Sequence, residues 1–159
     1  MNVIIASPTR LRSMQKTDLS TVMEIETLAY SFPWTLQIFQ DCLQIGYTAR
    51  VLEIDYHLVG YGIMSIGARV AHILNLCIHP NLQRNGYGQR LLKHLLILAK
   101  QQDVKTVFLD VRSSNQAAIN LYHKLGFNQM GVQKNYYPNG NKDYEDAFQF
   151  ALELWHWHC

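Results

Sequence analysis

The sequence predicts an α/β fold of the α+β type, in which a mixed, mostly antiparallel sheet of six to seven strands carries helices on both faces. Segments with strand alternation and segments with helical periodicity follow one another in the order β-α-α-β-β-β-α-β-α-β-β. One leucine-rich helix joins two apolar strands, and a helical crossover of this kind places its two strands parallel. Other strands are separated by only a few turn-forming residues, which is typical of antiparallel neighbours.

The length and composition are those of one globular domain. The chain has 159 residues, of which 48% are hydrophobic and 16% are charged, so it is long enough to bury a core. The formal net charge is +2, far from the basic load of a free-standing nucleic-acid binder. We therefore expect a single domain over residues 1–159, with residues 1–9 as a loose N-terminal extension and no direct nucleic-acid partner.

The cysteines, histidines and apolar runs exclude several other classes. Cys42, Cys77 and Cys159 are widely spaced and lack a Cys-x-x-Cys pattern, which argues against a disulfide framework or a thiolate zinc site. The histidines lack a His-Glu-x-x-His pattern, so we expect no metal. The apolar run at residues 3–6 is too short for a signal sequence or a membrane span. These features predict a cytoplasmic protein with no membrane partner.

Periodicity and punctuating residues place the individual elements. Alternation indicates strands, 3.6-residue spacing indicates helices, and Pro, Gly, Asn and Asp mark their ends. The predicted elements are a strand at 11–14, a helix capped by Thr17 or Asp18, a helix capped by Thr35, strands at 48–54, 57–66 and 70–79, a helix after Gly88, a strand at 106–111, a helix after Asn115 that ends at Gly126, and strands at 127–136 and 145–155. The strand at 106–111 is expected to lie parallel to the strand at 70–79.

The rest of the chain is organised around residues 74–92, where an apolar strand stops at Pro80 and a leucine-rich helix begins after Gly88. The turn between them contains Arg84 and Gly86. Such a turn exposes unpaired N–H groups at the positive end of a helix, and glycine lets a phosphate approach the backbone. The alternative is a tight connection with no ligand. A dinucleotide-binding turn would need a third glycine, where Leu91 stands.

A second motif follows at residues 115–127, which read Asn-x-x-Ala-x-x-Leu-Tyr-x-x-x-Gly-Phe. Together with the Gln/Arg-x-x-Gly-x-Gly/Ala pattern at 83–88, it resembles the GNAT superfamily of N-acetyltransferases. Ser-Phe-Pro-Trp at 31–34, Asn-Tyr-Tyr-Pro at 135–138 and Glu-Asp-Ala at 145–147 are similar to the bacterial ribosomal-protein alanine N-acetyltransferases. The resemblance covers about residues 11–152 and implies a GNAT-type sheet whose central parallel pair splays apart.

The resemblance also implies which residues bind acetyl-CoA. The backbone of residues 76–78 would pair with the pantetheine arm, and the loop at 84–89 would hold the pyrophosphate. Asn115 would reach the cofactor, and Tyr122 would protonate the departing thiolate; otherwise Tyr122 is only an aromatic on a core stripe. The full expected cofactor set is Leu76, Cys77, Ile78, Arg84, Asn85, Gly86, Tyr87, Gly88, Gln89 and Asn115.

One position departs from the family pattern. In the ribosomal-protein enzymes the strand that corresponds to 106–111 carries a glutamate as the general base, whereas this chain has Asp110. The loss of one methylene withdraws the carboxylate by about 1.5 Å, so a bridging water is the natural replacement for direct contact. The alternative is that Asp110 pairs with Arg112 or caps the turn at residues 113–115.

On the acceptor side, four aromatic residues in two proline-containing stretches are predicted to line a peptide groove: Phe32, Trp34, Tyr136 and Tyr137. Rigid aromatic rings provide a large contact area at a small entropic cost. Phe32 and Trp34 could equally be core anchors. Glu26, which falls on the apolar stripe of the first helix, is predicted to bind substrate, although an acid in that position is usually partnered or at the edge of the stripe.

The preferred function is transfer of an acetyl group from acetyl-CoA to a protein N terminus, with the alanine N terminus of a small-subunit ribosomal protein as the expected acceptor. An α-amino group has a pKa of about 8, well below that of a lysine side chain, so it loses its proton more easily and one carboxylate suffices as the base. A polyamine or aminoglycoside acetyltransferase would need several acids, drawn from Glu26, Asp110, Glu145 and Asp146. A non-catalytic acyl-CoA-binding module is the third possibility. We expect a monomer or a weak homo-oligomer.

Overall fold

Every predicted helix and strand is present in the computed structural model, which describes residues 8–158. The helices are α1 (Leu19–Ala29), α2 (Leu36–Ile45), α3 (Tyr87–Gln101) and α4 (Gln116–Lys124). The strands are β1 (Thr9–Ser13), β2 (Thr48–Ile54), β3 (His57–Gly67), β4 (Val70–Ile78), β5 (Thr106–Arg112), β6 (Asn128–Pro138) and β7 (Tyr144–Glu153). None of the helices within residues 8–158 combines the length and the apolar character needed to cross a membrane.

The seven strands form one mixed, mostly antiparallel sheet in the order β1-β2-β3-β4-β5-β7-β6, which confirms the predicted fold class. The parallel pair is β4 and β5, in register from Val70 opposite Thr106 to Ile73 opposite Leu109. Among residues 8–158 this pairing ends at Leu109, although β4 continues to Ile78 and β5 to Arg112. β7 lies between β5 and β6 and is antiparallel to both.

The N-terminal boundary is the clearest difference from the prediction. The first strand begins at Thr9, where residues 1–9 were expected to form a loose extension; residues 1–7 lie outside the described residues. Thr9 is in register with Ile54, and the Asp55 N–H donates to the Pro8 carbonyl at 2.9 Å. Backbone pairing along an edge strand therefore orders a segment that has little hydrophobic pattern of its own.

The ends of α2 and α4 follow the predicted capping chemistry. The Thr35 hydroxyl accepts from the Ile38 N–H at 3.3 Å at the start of α2, and the Asn115 side chain accepts from the Ala118 N–H at 3.2 Å at the start of α4. Gly126 has φ +98°, the left-handed conformation in which glycine ends a helix at little cost.

The chain forms two compact units. The first unit comprises the described residues up to Ile63 together with Asn75–His94, and the second comprises Met64–Leu74 together with the described residues from Leu95 onward. A core cluster of the first unit consists of Met14, Leu19, Val22, Ile25, Phe39, Cys42, Ala49, Val51, Tyr61, Ile63 and Cys77. Buried apolar residues of the second unit include Leu95, Leu96, Ala99, Val107, Leu109, Val111, Ile119, Tyr122, Phe127 and Phe150. The predicted single domain stays a prediction.

Candidate active site

The loop between β4 and α3, in the first unit, is folded by its own side chains. The Gln83 amide donates to the Ile78 carbonyl at 3.0 Å, and the Asn85 amide donates to the Leu82 and Gln83 carbonyls at 3.1 and 3.2 Å. Arg84 and Gly86 have φ +66° and +83°, so two residues of the loop adopt the left-handed backbone conformation. These bonds satisfy backbone carbonyls inside the loop and fix its shape before any ligand binds.

The first turn of α3 presents backbone N–H groups next to this loop. Tyr87, Gly88 and Gln89 are the first residues of the helix, and the leading N–H groups of an α-helix have no partner within the helix. The intrahelical ladder starts with the Arg90 N–H, which donates to the Gly86 carbonyl at 3.1 Å. The N–H groups, the helix dipole and the exposed Arg84 guanidinium all favour a negatively charged ligand. The residues present therefore fit a diphosphate.

The last residues of β4 already hold side-chain hydrogen bonds. The Leu76 carbonyl accepts from the Tyr30 hydroxyl at 3.0 Å, as the Ile78 carbonyl does from Gln83. A carbonyl oxygen has two lone pairs, so the Leu76 carbonyl retains capacity for a second donor, whereas the Ile78 carbonyl also accepts a weak hydrogen bond from the Cys77 thiol at 3.7 Å. Cys77 between them is buried in the core, and burial raises its thiol pKa to about 11, against the lowering effect of hydrogen bonds with Tyr61 and Tyr30. Cys77 is thus the small core residue that its apolar strand predicted.

Glu26, in α1, is only 1% exposed and accepts hydrogen bonds from three elements of the first unit. Its Oε2 accepts from the Trp34 backbone N–H at 2.9 Å. Its Oε1 accepts from the Tyr61 hydroxyl at 2.7 Å and from the Asn75 side-chain amide at 3.0 Å. Glu26 is therefore a partnered interior acid, as acids on an apolar stripe usually are, and its substrate-binding role stays a prediction.

Phe32 and Trp34 differ in their surroundings. The Trp34 ring lies 5.2 Å from the Phe39 ring at an interplanar angle of 57° and packs against the core cluster of the first unit. Phe32 is 44% exposed. Trp34 is thus at least in part the core anchor of the alternative interpretation, whereas Phe32 has ring surface that an acceptor could contact.

In the second unit, Asp110 lies on the exposed face of β5, as strand alternation predicted. Val107, Leu109 and Val111 are buried, whereas Asp110 is exposed and lies opposite Gln149 of β7. Partial burial of the carboxyl raises the Asp110 pKa, and the nearby His72 acts in the opposite direction. A carboxylate with a raised pKa is a stronger base than an ordinary aspartate.

Glu145 pairs with Arg112 and accepts a hydrogen bond from the turn at residues 113–115. These are the two roles that the alternative interpretation gave to Asp110. The Glu145 carboxylate forms a salt bridge with Arg112 at 2.8 Å and accepts from the Ser114 N–H at 3.2 Å. Burial alone would raise the Glu145 pKa, but the hydrogen bonds from Ser114 and Arg112 outweigh it and lower the pKa. Sequence reasoning weighed Glu145 only as one acid of a small-molecule site and missed this pairing.

Tyr122, in α4, is buried against other aromatic rings of the second unit. Its ring centroid lies 5.8 Å from Phe127 and 6.0 Å from Phe150. Burial, with a smaller contribution from Tyr137, raises the Tyr122 pKa well above its ordinary value. The phenol is therefore protonated throughout the neutral range. The core contact is present, and the role as proton donor stays a prediction.

Tyr136 and Tyr137 meet edge to face, with ring centroids 4.8 Å apart at 84°. The Arg112 guanidinium lies over the Tyr137 ring at 4.6 Å and donates to the Pro138 carbonyl at 2.8 Å. Burial and the negative charge of Asp110 are the two largest effects that raise the Tyr137 pKa to about 12. Arg112 thus holds this part of β6 in place, through contacts that sequence reasoning missed because they span more than twenty residues.

The side-chain oxygen of Asn115 caps α4, and its expected contact with the cofactor stays a prediction.

Within residues 8–158, no three His, Cys, Asp or Glu side chains form a group that could hold a metal ion.

Comparison with known proteins gives matches over most of the chain. Residues 19–127 match the acetyltransferase (GNAT) family. A Salmonella typhimurium protein named ribosomal protein bS18-alanine N-acetyltransferase is 36% identical over 141 residues, which cover 89% of this chain and 95% of that protein. The protein of the same name in Escherichia coli K12 is 35% identical over 144 residues, with 91% and 97% covered. The crystal structure of the E. coli ribosomal-protein-S18-alanine N-acetyltransferase matches with a TM-score of 0.87 and 34% identity, over 92% of this chain and 94% of that one.

Proposed function

Because this chain belongs to the GNAT family of acetyltransferases, we propose that it transfers the acetyl group of acetyl-CoA to the α-amino group of a protein N terminus. The proposed acceptor is an alanine N terminus of a ribosomal protein of the bS18 type. The observation that carries this proposal is the 35–36% identity, over about nine-tenths of the chain, to two proteins that bear this activity in their names.

Acetyl-CoA supplies an acetyl group activated as a thioester. We assign its pyrophosphate to the loop residues from Arg84 to Gln89, where fixed N–H groups and a cation favour an anion. The polar backbone of Leu76 and Ile78 is assigned to the amides of the pantetheine arm. The remaining lone pair of the Leu76 carbonyl, together with the strand N–H groups, suits an arm that carries both donors and acceptors.

Asp110 is the proposed general base. It takes a proton from the ammonium group of the acceptor, either directly or through one water that compensates for the shorter side chain. The neutral amine nitrogen then forms a bond to the acetyl carbon as the carbon–sulfur bond breaks. The proton that this nitrogen sheds returns through solvent to the Tyr122 oxygen, which gives its own proton to the sulfur. The raised pKa of Asp110 supports this role, because a base works best when its pKa approaches the operating pH.

Tyr122 is the proposed general acid, which donates its phenolic proton to the departing sulfur. Its raised pKa means that the proton leaves only as negative charge develops on the sulfur, since a free thiolate is a weaker base than this phenolate. The high pKa keeps the phenol protonated but makes it a weak acid, so the proposed transfer takes place in concert with cleavage of the carbon–sulfur bond and not before it.

Contacts with the acceptor are assigned to two aromatic residues of the first unit, Phe32 and Trp34, and to two of the second unit, Tyr136 and Tyr137. Phe32 and Tyr136 are 44% and 45% exposed and provide apolar contact area. Trp34 and Tyr137 are half-buried, with the Trp34 ring against Phe39 and the Tyr137 ring against Tyr136. The exposed rings are large and rigid, and such side chains bind peptides with little loss of conformational entropy.

The test is an assay of the full chain with acetyl-CoA and a short peptide that begins with alanine. Free thiol and an added acetyl mass are measured together. The matched control is the same peptide with a blocked N terminus and an internal lysine, which isolates the α-amino group as the acceptor. Spermidine and an aminoglycoside form a third arm.

We expect turnover of the free peptide and none of the blocked one. A peptide panel that varies the first four residues then defines the preference, with alanine expected first. Turnover of spermidine but of no peptide would replace this proposal with a small-molecule acetyltransferase. Binding of acetyl-CoA without turnover of any amine would instead indicate a non-catalytic module.

A further inference from the structure

The three hydrogen bonds to Glu26 come from neutral groups in different parts of the first unit. The Tyr61 hydroxyl belongs to β3, the Asn75 amide to β4, and the Trp34 N–H to the segment between α1 and α2. A carboxylate that is 1% exposed needs such partners, because an unpaired buried charge is very costly. Removal of this charge would therefore affect all three elements.

The segment between α1 and α2 depends on this contact more than the strands do. Residues 31–35 form no helix or strand, so the Trp34 N–H has no partner from a regular pattern of backbone hydrogen bonds. Pro33 contributes no N–H of its own. The Glu26 carboxylate supplies the missing acceptor at 2.9 Å, and a hydrogen bond to a charged group is among the stronger ones in proteins.

Glu26 has little capacity left for a ligand. Its oxygens already accept three hydrogen bonds, against about four lone-pair sites on a carboxylate. The side chain is closed off from solvent, so an incoming ammonium group would first have to displace Trp34 or Tyr61. These contacts point to an effect of Glu26 on the acceptor through the segment, and the predicted direct contact between Glu26 and substrate stays a prediction.

We propose that Glu26 is a positioning residue for the acceptor, which fixes the segment from Phe32 to Trp34 against β3 and β4 and so sets the affinity for the protein N terminus without touching it. This inference rests on the proposed function, because it concerns the acceptor of that reaction. The substitution Glu26→Gln tests it: it keeps the shape of the side chain but replaces one acceptor oxygen with an amide that cannot accept.

In Glu26→Gln the KM for the alanine peptide should rise about tenfold, as expected for the loss of one charge-assisted hydrogen bond. The KM for acetyl-CoA and kcat should stay close to the parent values. Hydrogen exchange of the Trp34 amide, followed by NMR, should become faster. A purely structural role would lower stability without this separation of the two KM values.

Two further variants sharpen the test. Tyr61→Phe removes one donor to Oε1 and leaves the Trp34 bond, so the peptide KM should rise in the same direction but less. Glu53→Gln is the matched control, because Glu53 is a second buried acid of the first unit, 7% exposed and paired with Arg12. This control should leave the peptide KM unchanged.

An unchanged peptide KM in folded Glu26→Gln would overturn the inference, and so would an equal rise in the KM for acetyl-CoA. If Glu26→Gln does not fold, Tyr61→Phe decides: an unchanged peptide KM there means that the carboxylate serves stability alone. A peptide effect of Glu26→Gln that persists undiminished when Phe32 and Trp34 are both replaced by alanine would indicate direct contact with the acceptor, because the segment then has no aromatic ring left to position. Failure of the parent to acetylate any peptide would defeat the proposed function itself and is therefore a distinguishable result.

Discussion

The two units hold their functional groups in opposite ways. In the first unit, the Glu26 carboxylate and the loop at residues 83–86 are fixed by hydrogen bonds within the protein. In the second unit, the groups with the clearest assigned chemistry, Asp110 and Tyr122, have pKa values raised mainly by burial. The first arrangement gives rigid surfaces for binding, whereas the second gives groups that hold a proton more tightly than they would in water.

The contrast is sharpest between the two acids. Glu26 is buried, and most of its acceptor sites are occupied by hydrogen bonds within the protein. Its side chain is therefore fixed in position and has little capacity to bind a ligand. Asp110 is exposed on β5, and partial burial of its carboxyl raises its pKa above the ordinary value of an aspartate. Variants of the second unit should therefore change kcat, and variants of the first should change KM. The predictions below test that separation.

The largest effect is expected for Asp110→Asn, which removes the proposed base but keeps the size of the side chain. Its kcat should fall by about 10²–10⁴-fold, the range typical of lost acid–base catalysis, with little change in the KM for acetyl-CoA. The loss should shrink as the pH rises toward the pKa of the α-amino group, because more of the acceptor is then already neutral. Steady-state kinetics between pH 6.5 and about 9 measure this.

Asp110→Glu is the matched control, since it restores the glutamate of the ribosomal-protein enzymes and should retain substantial activity. Parent-like turnover of Asp110→Asn at pH 7 would show that the base lies elsewhere. That result would contradict the proposed separation, in which variants of the second unit change kcat and variants of the first unit change KM.

The next largest effect is expected for Tyr122→Phe. The substitution keeps the ring that packs between Phe127 and Phe150 and removes only the proton donor. Its kcat should fall by about 10²-fold, while the thermal midpoint changes little. A thioester with a more acidic thiol should recover much of the loss, since its leaving group needs less protonation. An equal loss with both thioesters would remove Tyr122 from the role of general acid.

Much of the fold was predictable because its signals are local. Thr35 and Asn115 cap the helices that follow them, and Gly126 ends α4 in the left-handed conformation. The parallel pairing of β4 and β5 follows from the single helix between them. The position of β7 between β5 and β6 could not be predicted in this way. The short connection between β6 and β7 indicates that they are neighbours, but it does not indicate which of the two pairs with β5.

The site was predictable only in part, for a related reason. Alternation along β5 gave the face of Asp110, and the loop motif gave the anion-binding turn. The partners of Glu26 could not be read in the same way, because Tyr61 and Asn75 are 35 and 49 residues away in the sequence. The salt bridge from Arg112 to Glu145 likewise spans 33 residues. Contacts of this range depend on strand register, which one sequence does not reveal.

A smaller effect, in KM, is expected for Gly86→Val in the first unit. A Cβ at Gly86 would meet no atom within 4 Å, so the cost comes from φ +83° rather than from a clash. Valine disfavours the left-handed region strongly, so the loop should shift. The KM for acetyl-CoA should rise by about tenfold, since a strain of 1–2 kcal/mol corresponds to roughly that factor, while kcat changes less.

Gly86→Asn separates backbone strain from access to the loop. Asparagine tolerates the left-handed conformation but adds a side chain larger than a single Cβ. A small effect of asparagine and a large one of valine would confirm the backbone as the cause. Equal effects would show that the side chain blocks the ligand. Unchanged KM values in both variants would remove the assignment of the diphosphate to this loop.

The smallest effect is expected for His72→Phe, which alters the surroundings of Asp110 without touching its carboxylate. The His72 ring stacks on Phe108 at 5.5 Å and 26°, and its influence lowers the Asp110 pKa against the raising effect of burial. Phenylalanine can keep the stacking but carries no charge in acid, so the Asp110 pKa should rise and the acid limb of the kcat–pH profile should move to higher pH. A carbon-13 NMR titration of the carboxyl measures the shift. The control His123→Phe, at a ring that contacts Phe150, should leave it unchanged. A constant or lower Asp110 pKa in His72→Phe would contradict this prediction and show that His72 does not lower the Asp110 pKa in the parent.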